Sequence, residues 1–316
     1  MIILKIFQKK NGLNYLKRLI KMSKPIIAVT GINGQVGSDI HQIHHHFVDV
    51  FDFIFIDRSL MDLANPESIT SFFKTNSPQF FINCAAYTAV DKAETEKELA
   101  QQINGFSVQQ IAKHCKNINC ILINVSTDYV FDGLKNAPYK PSDKTNPVNF
   151  YGQTKLFGEI ETIKASSKNI VVRTAWVYNK TGKNFVNTML RLMNEKPSIN
   201  VVEDQIGSPT YSPNLAQALL QIVSKIYKSN YQIDYQSIYH YSNTGVISWY
   251  DFAVEIKNII GSNCAVNPIP TTAYPTPAKR SAYSVMDCSD ITKDFEIDLI
   301  HWKTSLQECL QITEEI

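Results

Sequence analysis

Two residues four positions apart, Tyr151 and Lys155, stand out in the stretch Tyr151-Gly152-Gln153-Thr154-Lys155. On a helix that spacing puts a phenol and an ammonium on one face. A phenol with its free pKa of about 10 is a poor acid near neutrality. A cation about 4 Å away favours the phenolate by roughly 4 kcal/mol at an effective dielectric of 20. At about 1.36 kcal/mol per pKa unit, that is an upper limit of about three pKa units. The pair alone fits a solvated helix face equally well. Its weight comes from Thr127, at the end of the strand that opens Val125-Ser126-Thr127-Asp128-Tyr129-Val130-Phe131. A hydroxyl there lies at the carboxyl edge of a sheet and can donate a hydrogen bond to a reacting oxygen. Hydride addition to a carbonyl creates an alkoxide, and Tyr151 is placed to protonate it. The expected catalytic set is Thr127, Tyr151 and Lys155, in a nicotinamide-dependent reductase acting on a carbonyl group.

Such a set needs a scaffold and a hydride source, and the first half of the chain has the pattern for both. Short apolar runs at 26–29, 53–56, 80–82, 120–125 and 170–172 alternate with amphipathic stretches, notably 92–115 and 151–164. That alternation predicts strand-helix-strand units and a parallel sheet. Directly after the first run comes Thr30-Gly31-Ile32-Asn33-Gly34-Gln35-Val36-Gly37. Glycines between a first strand and a first helix let the backbone approach a pyrophosphate, whose charge meets the helix N-terminal amides. Gly31, Gly34, Gln35, Val36 and Gly37 are therefore candidate cofactor-binding residues. The second strand ends in Asp57-Arg58, where the adenosine ribose belongs. Asp57 suits the free 2′-hydroxyl of NADH and Arg58 the 2′-phosphate of NADPH, so the preference stays open.

The expected fold is α/β, a Rossmann-type doubly wound parallel sheet with a smaller C-terminal substrate-binding domain. We assign 25–175 to dinucleotide binding, rejoined by about 208–245, and 176–207 with 246–316 to the substrate. Residues 133–149, rich in Pro, Asn, Lys and Asp, read as a long loop, and long loops in compact domains are often functional.

The formal charge of +2 conceals a split. Seven basic residues and no acidic ones lie in positions 1–24, leaving 24 basic against 29 acidic, a net −5, for the rest. A mildly acidic body argues against nucleic acid as a partner. The 1–24 extension, with one serine and one arginine, resembles a targeting peptide poorly. It is expected to lie outside the fold, either disordered or an artefact of the start site. No apolar run approaches about 18 residues, so no membrane span is expected. Six scattered cysteines with no C-x-x-C pair suit reduced thiols in the cytoplasm.

Together the glycine turn, Ser126-Thr127-Asp128 and the Tyr151/Lys155 pair resemble the extended short-chain dehydrogenase/reductase superfamily. Closer still is the dTDP-4-dehydrorhamnose reductase family. The resemblance rests on Asn83-Cys84-Ala85-Ala86-Tyr87-Thr88-Ala89-Val90-Asp91-Lys92-Ala93-Glu94, on Arg173-Thr174-Ala175-Trp176-Val177-Tyr178 and on Asp204-Gln205-Ile206-Gly207-Ser208-Pro209-Thr210. It implies reduction of the C4 ketone of dTDP-4-dehydro-L-rhamnose to dTDP-L-rhamnose by NADPH or NADH, in nucleotide-sugar biosynthesis. It also implies that Asp57, Asp62 and Leu63 line the adenosine side, that Ala86, Tyr87 and Thr88 flank the cofactor, and that Tyr151 and Lys155 reach the nicotinamide ribose. By the same resemblance Thr127, Asp128, Tyr151, Trp176 and Arg280 hold the sugar nucleotide. A homodimer is the assembly it allows. Ser281 and Tyr283 stand where the family usually has proline and asparagine. Pro213 stands where some members have an acidic residue that binds magnesium, so no metal is expected.

Competing signals are weaker. His41, His44, His45 and His46 have helical metal-ligand spacing but no cysteine nearby, and suit a solvated helix end. Asn124-Val125-Ser126 is a glycosylation sequon inside an expected buried strand. A regulatory subunit of methionine adenosyltransferase resembles the same family without its catalysis, and a reductase of another 4-ketosugar nucleotide would read almost alike. A dehydratase needs an adjacent Asp-Glu pair, whereas Asp128 is followed by Tyr129.

Overall fold

The computed structural model describes residues 24–311. Residues 1–23, nearly all of the basic extension, and 312–316 lie outside the described residues. The main sheet has six parallel strands. They are β1 (Ile26–Thr30), β2 (Asp52–Ile56), β3 (Phe80–Asn83), β4 (Ile121–Thr127), β5 (Ile170–Thr174) and, further along the chain, Ile238–His240. The order is β2-β1-β3-β4-β5 and then Ile238–His240. The expected doubly wound sheet is thus present, and the chain reverses direction between β1 and β3, where ligands of such sheets bind.

Strands covered on both faces read as unbroken apolar runs. Successive side chains serve opposite layers. Ile27 and Val29 join Leu219 and Ile222 of the Ser212–Lys228 helix, whereas Ala28, Phe81 and Leu122 join Phe72 and Ile111. β2 is the exposed edge, and the histidine cluster covers it: His41 and His44 pack edge-on to Phe55. Among the described residues no cluster of His, Cys, Asp or Glu could hold a metal. Nor, among them, is any helix long and apolar enough to cross a membrane.

One expected helix is broken. Instead of a continuous 92–115 helix, a 3-10 turn at Lys92–Glu94 precedes a short helix at Lys97–Gln101, a π-helical turn at Gln102–Phe106 and a second helix at Ser107–Asn117. Asn104 explains the π turn. Its side chain accepts from Tyr87 N (2.8 Å) and donates to Tyr87 O (3.0 Å) and Thr154 Oγ1 (3.1 Å). Such turns often mark functional sites, and this one fixes the backbone after β3.

Beyond β5 the chain forms β6 (Val177–Tyr178), β7 (Ser198–Val202), β8 (Ile206–Gly207), β9 (Thr210–Tyr211), β10 (the sixth sheet strand above), β11 (Ile247–Ser248) and β12 (Ala265–Ile269). β6 pairs with β9, β7 with β12, and β8 with β11. They surround a second apolar cluster that includes Phe252, Ile256, Trp302 and Leu306. The long 133–149 loop is tied down by Tyr139, which is buried and stacked on Phe131 with ring centroids 4.2 Å apart.

Candidate active site

At the carboxyl ends of the central strands a buried polar ladder runs across the sheet. Thr30 Oγ1 donates to Asn83 Oδ1 (2.7 Å), and Asn83 Nδ2 donates to Asn124 Oδ1 (2.8 Å). Ala85 N donates back to Thr30 Oγ1 at 3.3 Å. The glycine turn lies against this ladder. Gly31 has φ +76°, the left-handed region, and a Cβ there would come 2.8 Å from Ala85 N. A Cβ on Gly37 would come 2.2 Å from the Gly31 carbonyl oxygen. Both positions require glycine for backbone reasons.

Two cavities meet at this turn. One of about 470 Å³ is walled by Gly34, Gln35, Val36, Thr88, Tyr151 and Lys155. The other, about 210 Å³, is walled by Asp57, Arg58, Asp62 and Leu63. Gly31, Gly34 and Ala86 border both. A chamber on each side of a close-approach glycine turn fits the two halves of a dinucleotide. The Ser126 hydroxyl, buried without a partner, belongs to a residue in the wall of the larger chamber. Gly37 stands behind the turn, and Tyr87 lines neither chamber: its hydroxyl donates to Glu96 Oε2 at 2.7 Å.

The carboxylate of Asp57 accepts from Ser59 Oγ (2.7 Å) and from the Ser59 and Leu60 amides, bonds that hold it below the usual carboxyl range. The Arg58 guanidinium lies 3.1 Å from Asp62 Oδ2. Asp57 and Arg58, the residues expected to read the ribose, therefore border the smaller chamber with their side chains already engaged.

Tyr151 and Lys155 lie on the Phe150–Ala165 helix. Asn149 caps it, accepting from Gly152 N at 2.8 Å, an interaction that contributes roughly 1 kcal/mol. Gly152 lets the helix start abut the turn after β4, since a Cβ there would come 2.2 Å from Tyr129 O. Tyr151 is thereby brought beside Thr127, and Tyr151, Lys155, Thr127 and Asp128 are all buried. Thr127 Oγ1 donates to Asp128 Oδ1 at 2.9 Å.

The electrostatics differ from the expectation. Burial raises the Tyr151 phenol above its ordinary pKa, opposed by a hydrogen bond with Thr127 and reinforced by Asp128 and Tyr129. Lys155 is not among the groups that move it. Its Nζ donates to the Val125 carbonyl at 2.7 Å, and burial lowers its own pKa to about 8, opposed by Glu159 and Cys84. Desolvation outweighs the charge pairing that spacing alone suggested. Tyr151 thus holds its proton firmly, and Lys155 is a cation close to losing one. Asp128 is raised to about 6 by burial, against hydrogen bonds from Thr127 and Ser284.

A third cavity, about 730 Å³, opens between Tyr129, Gln205, Trp249 and Arg280. Trp176 has φ +50°, a left-handed conformation rare for a bulky residue, and such strain gathers at functional sites. One indole face is taken by Trp249, stacked with centroids 3.6 Å apart. Trp249 opens a helix whose Ser248–Asp251 capping box fixes its start. Gly207 lies so close to Trp176 that a Cβ would reach 2.6 Å from the ring. Arg280 Nη2 donates to Asp91 Oδ2 at 2.7 Å, while its buried Nη1 has no partner. The structure thus gathers Thr127, Asp128, Tyr151, Lys155 and Ser284. It also shows Asn104 and Trp249, which no sequence signal marked, and Ser126, which the motif contained without a role; Trp249's only hint is that tryptophan occurs three times in the chain.

Comparison with known proteins agrees with this architecture. A family model described as the RmlD substrate binding domain matches residues 25–315. A dTDP-4-dehydrorhamnose reductase of Aggregatibacter actinomycetemcomitans is 38% identical over 289 residues, covering 89% of this chain and 97% of the relative. The crystal structure of a dTDP-4-dehydrorhamnose reductase from Clostridium acetobutylicum superposes with TM-score 0.83 at 36% identity, covering 91% of this chain and 99% of the other. That of the Bacillus anthracis reductase, in complex with NADP, gives TM-score 0.83 at 34% identity over 92% of this chain and all of the other. With its glycine turn, its buried Tyr151, Thr127 and Lys155, and this likeness along nearly its whole length, the chain belongs to the dTDP-4-dehydrorhamnose reductase family.

Proposed function

We propose that the chain reduces the C4 ketone of dTDP-4-dehydro-L-rhamnose to dTDP-L-rhamnose, with NADPH or NADH seated in the two chambers around the glycine turn. The observation that carries this reading is the meeting of Tyr151 and Thr127 where the larger chamber adjoins the turn after β4. Residues 25–175 with about 208–245 hold the cofactor in this reading, and 176–207 with 246–316 hold the sugar nucleotide.

Gly31, Gly34, Gln35 and Val36, backed by Gly37, receive the diphosphate. Asp57, Arg58, Asp62 and Leu63 receive the adenosine, and Ala86 and Thr88 flank the nicotinamide side, with Tyr87 between them supporting that turn from outside the chambers. Bound there, the cofactor supplies hydride. The chain supplies the proton: Tyr151 gives up its phenolic hydrogen to the C4 oxygen as charge develops on it. Thr127, its hydroxyl turned from Asp128 to the substrate, holds that oxygen by a hydrogen bond, and with water excluded by the bound cofactor the Lys155 ammonium stabilises the phenolate left behind. Burial serves this sequence, because a phenol that keeps its proton in the resting site is ready to donate, and Lys155 works most strongly in a site without water. Asp128, Trp176 and Arg280 position the sugar nucleotide, the free Nη1 of Arg280 offering a donor. The cytoplasm suits the six cysteines, all free among the described residues, and a homodimer is the assembly the family resemblance allows.

The assay is direct: supplied with dTDP-4-dehydro-L-rhamnose, the chain should consume NADPH or NADH in step with dTDP-L-rhamnose formed. No turnover with either cofactor would overturn the reading in favour of a non-catalytic binding subunit. Faster turnover of a different 4-ketosugar nucleotide would move the assignment to that sugar.

A pH dependence follows from Lys155. Its ammonium is charged below about 8 and neutral above, so kcat/KM, which reports the free enzyme, should fall tenfold per pH unit on the alkaline side of about 8. A bound diphosphate favours the charged form, so the matching limb in kcat should lie at higher pH. A kcat/KM profile flat well beyond pH 9 would remove Lys155's charge from the mechanism.

A further inference from the structure

The segment 179–184 follows β6, in the part of the chain read as substrate-binding, yet it is fastened to the first helix of the cofactor fold. Asn179 Nδ2 donates to both carboxylate oxygens of Asp39, at 2.8 and 2.9 Å. Asp39 is buried and also accepts from Ser212 Oγ. Asn184 Nδ2 donates to Gln35 Oε1 at 2.9 Å and to the Asn179 and Thr181 carbonyls at 2.8 and 3.2 Å. Gln35 Nε2 in turn donates to the Val177 carbonyl at 3.3 Å. Asp39 and Gln35 both belong to the Gln35–Ile43 helix, which starts at the glycine turn. Gly182, with φ +81°, supplies the left-handed bend. As a result Thr181, Gly182 and Lys183 share the wall of the larger chamber with Gly31, Gly34 and Gln35.

That wall contains two basic side chains, Lys155 and Lys183. Lys155 is buried, donates to the Val125 carbonyl and serves the reacting end of the chamber in the proposed function. The Lys183 ammonium has no partner among the described residues. A dinucleotide's diphosphate carries two negative charges, and a glycine turn with a helix N-terminus meets them with partial charges only. We propose that Lys183 supplies the full positive charge at the cofactor diphosphate, and that 179–184 is a clasp by which the substrate-side half grips the cofactor. The inference rests on the reading of this chamber as the dinucleotide site. Lys196 and Arg280 border the third cavity instead, so a nucleotide-sugar diphosphate held beside Arg280 is served by other cations.

Lys183 is exposed, so its replacement leaves the core untouched. Dissociation constants for NADPH and, separately, for dTDP are measured by fluorescence titration at low and high salt, on the natural chain and on Lys183→Gln and Lys183→Arg. The Gln variant should bind NADPH roughly three- to tenfold more weakly at low salt, as expected for a charge-assisted contact at an exposed site. The gap should narrow as salt rises. The Arg variant should keep the natural affinity, and dTDP binding should not move. Equal NADPH affinity in the Gln variant would overturn the assignment, as would a loss of dTDP affinity in place of NADPH affinity. If the natural chain itself binds no dinucleotide, the reading of the chamber fails first and the clasp with it.

Discussion

Tyr151→Phe is expected to lower kcat by about 10²- to 10⁴-fold, the usual worth of a positioned general acid, while NADPH and dTDP affinities change little. The substitution removes one hydroxyl and leaves the ring, which packs edge-on to Tyr129 with centroids 5.6 Å apart. The fold should therefore survive intact. The groups beside it are poor substitutes: the Thr127 hydroxyl is an aliphatic alcohol, a weaker acid than a phenol, and Lys155 Nζ is held on the Val125 carbonyl. Since burial keeps the phenol protonated, the loss should not be recovered by lowering the pH within the stable range. Steady-state kinetics beside binding titrations check this. A kcat within threefold of the natural chain would remove Tyr151 from its role.

Glu159→Gln should destabilise the folded chain by about 3–5 kcal/mol, the range for breaking a buried ion pair from one side. Glu159 lies one helical turn beyond Lys155, and both it and Arg173 are inaccessible to solvent. Arg173 Nε and Nη2 donate to the carboxylate, the closest bond 2.7 Å. The remaining contacts of Arg173 are neutral: the Pro141 carbonyl, the Phe131 face, and His240, whose pKa burial and Arg173 itself push down to about 3. A glutamine would therefore leave a buried guanidinium without a counter-charge. Chemical denaturation should show a lower midpoint at an unchanged slope. Glu159→Leu with Arg173→Met, which removes both charges, should recover much of the loss. A single variant as stable as the natural chain would show that the pair is not what holds this helix to β5. Glu159 also raises the Lys155 pKa, so the alkaline limb of kcat/KM should move to lower pH in the Gln variant.

The central sheet was legible because parallel strands buried on both faces leave unbroken apolar runs such as Phe80-Phe81-Ile82, and because a glycine turn has one natural place in such a sheet. β4 extends two residues past the apolar run, through Ser126 and Thr127. Those residues are polar because they face the site, so hydropathy ends the strand too early. Periodicity also joined 92–115 into one helix, since it cannot register a side chain such as Asn104 that turns inward to hold Tyr87. The candidate catalytic residues could be read from type and spacing, but their electrostatics could not. Coulomb's law at an assumed separation gave Lys155 the leading part, whereas desolvation dominates both Lys155 and Tyr151. The Trp176–Trp249 stack and the return of 179–184 to Gln35 join residues 73 and about 150 positions apart, and no local pattern encodes such contacts.

The most direct measurement of the central claim is the reductase assay run with cofactor deuterated at the transferable position of the nicotinamide. Reduction at the C4 ketone predicts one deuterium at C4 of the product deoxysugar, seen by NMR, with Tyr151→Phe forming that product at least a hundredfold more slowly. Deuterium at another carbon, or its retention by the cofactor while the sugar nucleotide is consumed, would contradict the account.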